Sequence, residues 1–323
     1  MIITVTPNPS LDRTVTLTTT LTRGSVHRIA SVSTEPGGKG VNVAGALTLA
    51  GLDAVAVLPA ATHDPFVAAL AAAGVPHAAV PISEAVRTNL AITETDGTTT
   101  KLNERGATLD PVSLTALTDT VIERAAAADW VVLSGSLPPG APDSWYAELV
   151  ARLAPLRCRV AVDTSDAPLL ALAAGFDRAA PDLLKPNSEE LAGLVGRSAD
   201  ALEQAAAEGD PEPVVSAALE LVRRGVGAVL ATLGAAGAVL VDANGAWLAT
   251  PPPITPKSTV GAGDSSLAGY LRADVGGAEA PRRLQMAVAY GSAAAALPGT
   301  ALPSPADLDL DAVRVVSILL KPS

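Results

Sequence analysis

Short runs of Val, Ile and Leu recur along the chain between longer stretches rich in Ala and Leu. Ala54-Val55-Ala56-Val57-Leu58, Trp130-Val131-Val132-Leu133, Arg159-Val160-Ala161-Val162 and Ala228-Val229-Leu230-Ala231 read as buried strands. Strands covered on both faces need such near-continuous apolar runs. Helices are predicted over 41–50, 64–73, 112–127, 143–153, 187–195, 214–224 and 265–273. Strands alternating with helices imply an α/β fold with a mostly parallel sheet covered on both faces. In such sheets ligands bind beyond the carboxyl ends of the strands.

Two early regions break this rhythm. Arg13 to Leu21 and Thr88 to Asn103 are rich in β-branched residues and poor in helix signals. Asp96-Gly97, between alternating segments, is a strong hairpin signal. The expectation is a small antiparallel sheet, over about 12–35 and 86–106, that projects as a lid or pairs its exposed edges with a second subunit. The polar stretch Glu208-Gly209-Asp210-Pro211-Glu212-Pro213 reads as a surface loop. With no internal repeat and no obvious linker, residues 1–323 are expected to form a single domain.

Composition narrows the partners. Of 323 residues 49% are hydrophobic, enough for a large core. A formal net charge of −11 argues against non-specific binding to nucleic acid or to an anionic membrane, so any phosphate must meet local cations. Cys158 is the only cysteine, which excludes an intramolecular disulfide and a Cys-rich metal site. His27, His63 and His77 lack metal-ligand spacing. The opening Met1-Ile2-Ile3-Thr4-Val5-Thr6-Pro7 lacks the pattern of a signal peptide. The longest uncharged apolar stretch, Ala228 to Val241, falls short of a bilayer span. A soluble cytoplasmic protein is expected.

Several segments carry candidate chemistry. Ser258, Thr259 and Val260 lead into Gly261-Ala262-Gly263-Asp264 at the start of a predicted helix. Small residues there let backbone N–H groups and the helix dipole face an anion. Asp264 reads either as a base for an attacking hydroxyl or as a helix cap. Pro36-Gly37-Gly38-Lys39-Gly40-Val41-Asn42 is not a P-loop, because the lysine is followed by glycine and the glycine spacing is wrong. It suits a bare turn that a polyol can approach, with Asn42 offering a donor and an acceptor. Asp12, in Thr6-Pro7-Asn8-Pro9-Ser10-Leu11-Asp12, follows the first strand, where a βα-type loop would present it to two sugar hydroxyls. Arg28, Lys39, Arg87, Lys101 and Arg105 supply cations in the N-terminal third, and an arginine can grip phosphate through two bonds. Asn187 and Glu190 share a helix face and suit hydrated Mg²⁺ near a triphosphate, or N-terminal capping.

Thr259-Val260-Gly261-Ala262-Gly263-Asp264-Ser265, Gly37-Gly38-Lys39-Gly40-Val41-Asn42 and Lys185-Pro186-Asn187-Ser188-Glu189-Glu190 together resemble the ribokinase-like sugar kinase family, in its phosphofructokinase B branch. The opening resembles that of 1-phosphofructokinases and tagatose-6-phosphate kinases. The resemblance implies a three-layer ribokinase-like domain with a β-lid. It makes Asp264 the catalytic base and Gly261, Ala262 and Gly263 the anion hole. Asp12, Gly37, Gly38, Lys39, Asn42, Arg87, Asn89 and Ser136 would bind the sugar phosphate. Lys185, Asn187, Thr232, Gly234, Gly237, Ser258, Thr259, Val260 and Ser292 would lie along ATP. Asn187 and Glu190 would organise Mg²⁺ through water.

The implied reaction is phosphorylation of fructose 1-phosphate to fructose 1,6-bisphosphate. Tagatose 6-phosphate and fructose 6-phosphate are the alternatives. A catalytically inactive sugar-phosphate-binding regulator is the alternative of another class. A homodimer through the lid is implied as well. Arg105, in Lys101-Leu102-Asn103-Glu104-Arg105-Gly106, stands where the family commonly has proline, and its role is open between an added phosphate ligand and a neutral change.

Overall fold

The computed structural model describes residues 1–319. The chain starts with β1 (Ile2–Val5), then leaves the core for β2 (Ser10–Leu17) and β3 (Ile29–Gly37). It returns through α1 (Lys39–Leu49), β4 (Ala54–Ala60), α2 (Pro65–Ala72) and β5 (His77–Pro81). A second excursion makes β6 (Arg87–Thr93) and β7 (Thr99–Asn103), joined across Asp96-Gly97 as expected.

After α3 (Pro111–Ala125) the alternation becomes regular. It runs through β8 (Trp130–Ser134), α4 (Trp145–Leu153), β9 (Arg159–Asp163), α5 (Asp166–Ala173) and β10 (Leu183–Leu184). Three helices follow, α6 (Ser188–Val195), α7 (Ala199–Ala207) and α8 (Glu212–Arg223), then β11 (Ala228–Thr232), β12 (Ala238–Asp242) and β13 (Gly245–Thr250). The chain closes with α9 (Ala262–Val275), α10 (Ala280–Ala296) and β14 (Arg314–Ile318).

The central sheet has the order β14-β13-β12-β11-β10-β9-β8-β1-β4-β5. From β11 to β5 every pairing is parallel, and β12, β13 and β14 add antiparallel strands at one edge. Strand periodicity sorts the core into two layers. Ile3, Val131, Leu133, Val160, Val162 and Val229 pack with residues of α3 to α8. Their neighbours Ile2, Val132, Ala161 and Leu230 pack on the other face with α1, α2, α9 and α10. The fold is thus the expected helix–sheet–helix sandwich. No helix among the described residues is long and apolar enough to cross a membrane.

The small sheet has the order β3-β2-β6-β7. Its outer pairings are antiparallel, as expected, while its central pair, β2 with β6, is parallel. That pairing joins two excursions separated by a core crossover, so no hairpin signal announces it.

All seven predicted helices form, and α5, α7 and α10 add to them. The stretch predicted as a surface loop, Glu208 to Pro213, is shorter than expected. Its Pro213 sits in the first turn of α8, where the missing amide costs nothing.

Candidate active site

The carboxyl ends of β1, β8, β9, β10 and β11 all open into one cleft of about 470 Å³. The ends of β9 and β11 supply Asp163 and Thr232, and the segments after β1, β8 and β10 supply Asn8, Ser136, Lys185 and Asn187. The lid adds Ser10, Asp12, Arg87 and Asn89, α1 adds Lys39 and Asn42, and the start of α9 adds Gly261, Gly263 and Asp264. The volume falls within the range of small-molecule sites.

At the start of α9, Gly261 takes φ 76°, a left-handed conformation that favours glycine. The helical ladder begins with Ser265 N–H donating to the Gly261 carbonyl at 2.8 Å, and a helix's first amides have no intrahelical acceptors. Gly263 has no side chain to obstruct them, and a Cβ there would lie 3.3 Å from Lys185 Nζ. Asp264 is only 7% exposed, and Asn42 Nδ2 donates to its Oδ2 at 2.8 Å. Burial, reinforced by the negative Asp163, pushes the Asp264 carboxyl up to about 6, against the Asn42 hydrogen bond and the charges of Lys39 and Lys185. A carboxylate that titrates near neutrality and is not tied up in an ion pair is poised to exchange protons.

Asp163 was not among the expected site residues. It ends β9, almost wholly buried, and bridges Lys39 Nζ at 2.7 Å and Lys185 Nζ at 3.0 Å. Burial alone would raise its pKa, but the two ammonium groups hold it below the usual carboxylate value. Beside Asp163, Lys39 stays charged, its pKa raised above the ordinary lysine value despite burial. Lys39 therefore sits with the charged groups around Asp264 and Glu190. Sequence reading stopped at Val162, although an Asp at the end of a parallel strand is a signal in its own right.

On the lid side, Asp12 lies on β2, so the loop after β1 runs into a strand and not into the helix a βα loop would reach. Its Oδ1 accepts from Ser10 Oγ at 2.8 Å and Asn89 Nδ2 at 3.0 Å. Burial still raises its pKa. Gly37 is required here, since a Cβ would fall 2.2 Å from Asp12 Oδ2. Gly38, at φ 118°, packs against Thr6 in the turn before α1. Asn89 Oδ1 and Arg87 Nε are buried without a hydrogen-bond partner, as groups awaiting a ligand would be. Asn8, also not anticipated, donates through Nδ2 to Ser136 Oγ at 3.4 Å and to the Arg105 carbonyl at 3.2 Å.

Asn187 and Glu190 form a reciprocal capping box on α6. Asn187 Oδ1 accepts from Glu190 N–H at 2.8 Å, and Glu190 Oε2 accepts from Asn187 N–H at 2.9 Å. One oxygen of Glu190 is thus used structurally, and burial raises its pKa, which favours a cation nearby. Among the described residues no cluster of three His, Cys, Asp or Glu could hold a bare metal ion. An amide and a carboxylate oxygen are donors of the kind that hydrated Mg²⁺ accepts.

The remaining nucleotide-side expectations are scattered. Thr232 and Val260 line the cleft, whereas Gly234, Gly237, Ser258, Thr259 and Ser292 do not, and Ala262 contributes no lining surface. Gly237 has a structural reason to be glycine, because a Cβ would meet the Ala249 carbonyl at 2.0 Å. Ser292 Oγ donates to the Val288 carbonyl within α10, and Ser258 Oγ accepts from Val260 N–H. Arg28 and Lys101 are exposed on the lid and do not line the cleft.

Comparison with known proteins matches residues 6–307 to the family model described as pfkB family carbohydrate kinase. The chain belongs to that family. It is a carbohydrate kinase, hence a phosphotransferase with an alcohol acceptor, and the reading as a regulator without catalysis is set aside. Among its relatives is the 1-phosphofructokinase of Rhodobacter capsulatus, 38% identical over 94% of this chain and 93% of the relative. Another is the ATP-dependent 6-phosphofructokinase isozyme 2 of Escherichia coli K12, 35% identical over 93% and 94%. A solved structure of Escherichia coli phosphofructokinase-2 with substrates and products superposes with a TM-score of 0.85 and 34% identity, covering 95% and 96% of the two chains. A ribokinase from Thermotoga maritima, at TM-score 0.74 and 18% identity, shares the fold.

Proposed function

We propose that this kinase transfers the γ-phosphoryl group of ATP to a ketohexose phosphate, with fructose 1-phosphate as substrate and fructose 1,6-bisphosphate as product. The observation that carries the reading is the pairing of a buried Asp264, its pKa pushed up to about 6, with a glycine-lined helix start, across one cleft from Asp12, Asn89 and the unsatisfied Arg87. Asp264 Oδ1 takes the proton of the attacking hydroxyl. The oxygen then attacks the γ-phosphorus in line as the bond to the β–γ bridging oxygen breaks and ADP leaves, and the amides of residues 261–263 hold the charge on the transferring group. Lys39 and Lys185, both anchored on Asp163, face the transferring phosphoryl group, which moves Lys39 from the sugar phosphate to the reaction centre. Asp12, Asn42, Asn89 and Ser136 orient the sugar, with Gly37 making room for the Asp12 carboxylate and Gly38 for Thr6. Mg²⁺, contacted through water by Glu190 and Asn187, would neutralise triphosphate charge when bound.

Phosphorylation of fructose 6-phosphate at its 1-hydroxyl is the second reading, favoured by the likeness to Escherichia coli phosphofructokinase-2. An ADP-release assay across fructose 1-phosphate, fructose 6-phosphate, tagatose 6-phosphate, ribose and adenosine decides between them. The highest kcat/KM is expected with fructose 1-phosphate. Preference for ribose or adenosine would end the phosphosugar reading. The lid also exposes Ile29, Val32 and Leu102, and β3 and β7 are its free edges. We infer a homodimer through this sheet. A monomer by light scattering at assay concentration would remove it.

A further inference from the structure

One cross-strand row of the lid runs through Glu35 on β3, Asp12 on β2, Asn89 on β6 and Asn103 on β7. Residues paired directly across strands project from the same face of a sheet. Asp12 and Asn89 line the cleft, while Glu35, on the edge strand, does not. Glu35 and Asp12 are both acids, and like charges directly opposite each other weaken a sheet. The Glu35 charge works with burial to raise the Asp12 pKa, against hydrogen bonds from Ser10 and Asn89 and the charge of Arg87. Among the described residues no cation pairs with Glu35, so the row weakens the lid unless Glu35 is held elsewhere.

Its carboxylate is taken up from outside the lid. Thr300, in the segment that follows α10, donates from Oγ1 to Glu35 Oε2, a contact between positions 265 apart in the chain. That segment is itself anchored on the core. Leu302 packs so closely on α1 that a Cβ on Gly45 would fall 2.6 Å from its Cδ1. In the last turn of α10 the Ala295 carbonyl accepts from the amides of Lys257, at 2.8 Å, and Ser258, at 3.3 Å. Those two residues open the loop that leads to Gly261. The end of α10 therefore holds the β3 edge of the lid on one side and the loop before α9 on the other. Glu35 also stands two residues before Gly37, whose bare backbone makes room for Asp12 Oδ2. One short stretch of β3 thus meets both the core and the sugar-side carboxylate.

We propose that Glu35 is a positioning residue for the sugar: latched by Thr300 to the end of α10, it fixes β3 over the cleft and holds Asp12 where the sugar hydroxyls reach it. The inference rests on the reading of Asp12 as a sugar ligand. Thr300 is the other half of the latch, and neither side chain lines the cleft.

The test uses the full-length enzyme and the variants Thr300→Val, Glu35→Ala, Glu35→Gln and Thr300→Val with Glu35→Ala. In the ADP-release assay, Thr300→Val and Glu35→Ala should each raise KM for the ketohexose monophosphate roughly threefold to tenfold, the range of one lost hydrogen bond. Both kcat and KM for ATP should stay within about twofold. Glu35→Gln keeps an acceptor for Thr300 and should stay near the wild-type KM. The double variant should lose no more than Glu35→Ala alone, because the two residues act through one contact. A second readout needs no turnover. In ligand-free enzyme, amide hydrogen exchange across residues 29–37 should be faster in Thr300→Val, with exchange in β8 unchanged. Unchanged KM in both single variants, additive losses in the double variant, or unchanged exchange across β3 would overturn the proposal. So would losses in kcat and in KM for ATP as large as the loss for the sugar, which would report a general weakening of the fold. If the wild type turns over no ketohexose phosphate, the kinase substrate reading fails, and the latch still stands or falls by the exchange across β3.

Discussion

Helix α9 carries a buried aspartate at each end, and the two ends treat their charge in opposite ways. Asp274, in the last turn, receives Trp130 Nε1–H at 2.8 Å, Arg159 through both terminal nitrogens, and Arg283 at 3.1 Å. Arg159 also stacks over the Trp130 ring. A negative charge at a helix C-terminus opposes the dipole, and this set of donors satisfies it completely. Asp264, in the first turn, has a favourable dipole but only the Asn42 amide as a direct donor. The nearest cations, Lys39 and Lys185, are taken by Asp163. One carboxylate is fully engaged by donors from Trp130, Arg159 and Arg283. The other has a single donor, and burial pushes its pKa up to about 6. The difference marks the functional end better than burial does, since both residues are buried.

The comparison breaks most sharply on substitution of each aspartate. Asp264→Asn should lower kcat about 10²–10⁴-fold in the ADP-release assay, the usual range for a lost general base. Because the folded pKa is raised to about 6 from 3.8, Asp264 destabilises the fold when ionised, and this cost shrinks as pH falls through 6 and is gone below about 3.8. Asp264→Asn should therefore melt a few degrees higher than wild type at pH 8, by about half as much at pH 5, and by nothing below about pH 3.8. Activity that survives in Asp264→Asn would put the base elsewhere.

Asp274→Asn should do the reverse. It strands Arg159, Arg283 and the Trp130 donor, and should cost about 3 kcal/mol, near the lower bound for a broken buried pair because Arg159 is partly exposed. Calorimetric melting reads the loss, and the pH dependence of kcat should not move. A shift of that profile would mean the two ends are coupled.

The smallest effect is expected in the pH profile of Asp163→Asn. Removing this charge takes away a group that raises the Asp264 pKa and frees two lysines that lower it, so the acid limb should move to lower pH. Substrate ionisation is common to both enzymes, so the displacement between them belongs to the protein. A limb moved upward would contradict the electrostatic account.

What could be read in the sequence follows from the range of the interaction involved. The glycine loop before Asp264, the turn at Gly37-Gly38 and the hairpin at Asp96-Gly97 are local, and each took the form expected of it. β4, β8, β9 and β11 of the parallel sheet were visible as apolar runs, whereas β5 and the two-residue β10, and β13 and β14 at the antiparallel edge, were not. Asp163 went unseen because its meaning comes from Lys39 and Lys185, brought to it by strand order and not by spacing. The Asn42 contact with Asp264 spans 222 positions and is equally silent in the sequence. Asn187 and Glu190 show the converse, since their local spacing fitted both a metal role and a cap, and the capping box formed.

The most direct test of the central claim is a carboxyl ¹³C NMR titration of ligand-free enzyme labelled at aspartate, with the Asp264 signal identified by its loss in Asp264→Asn. A midpoint near about 6 is predicted. A midpoint at or below the ordinary 3.8 would contradict the account, because Asp264 would then be as firmly held in its charged form as an ion-paired carboxylate.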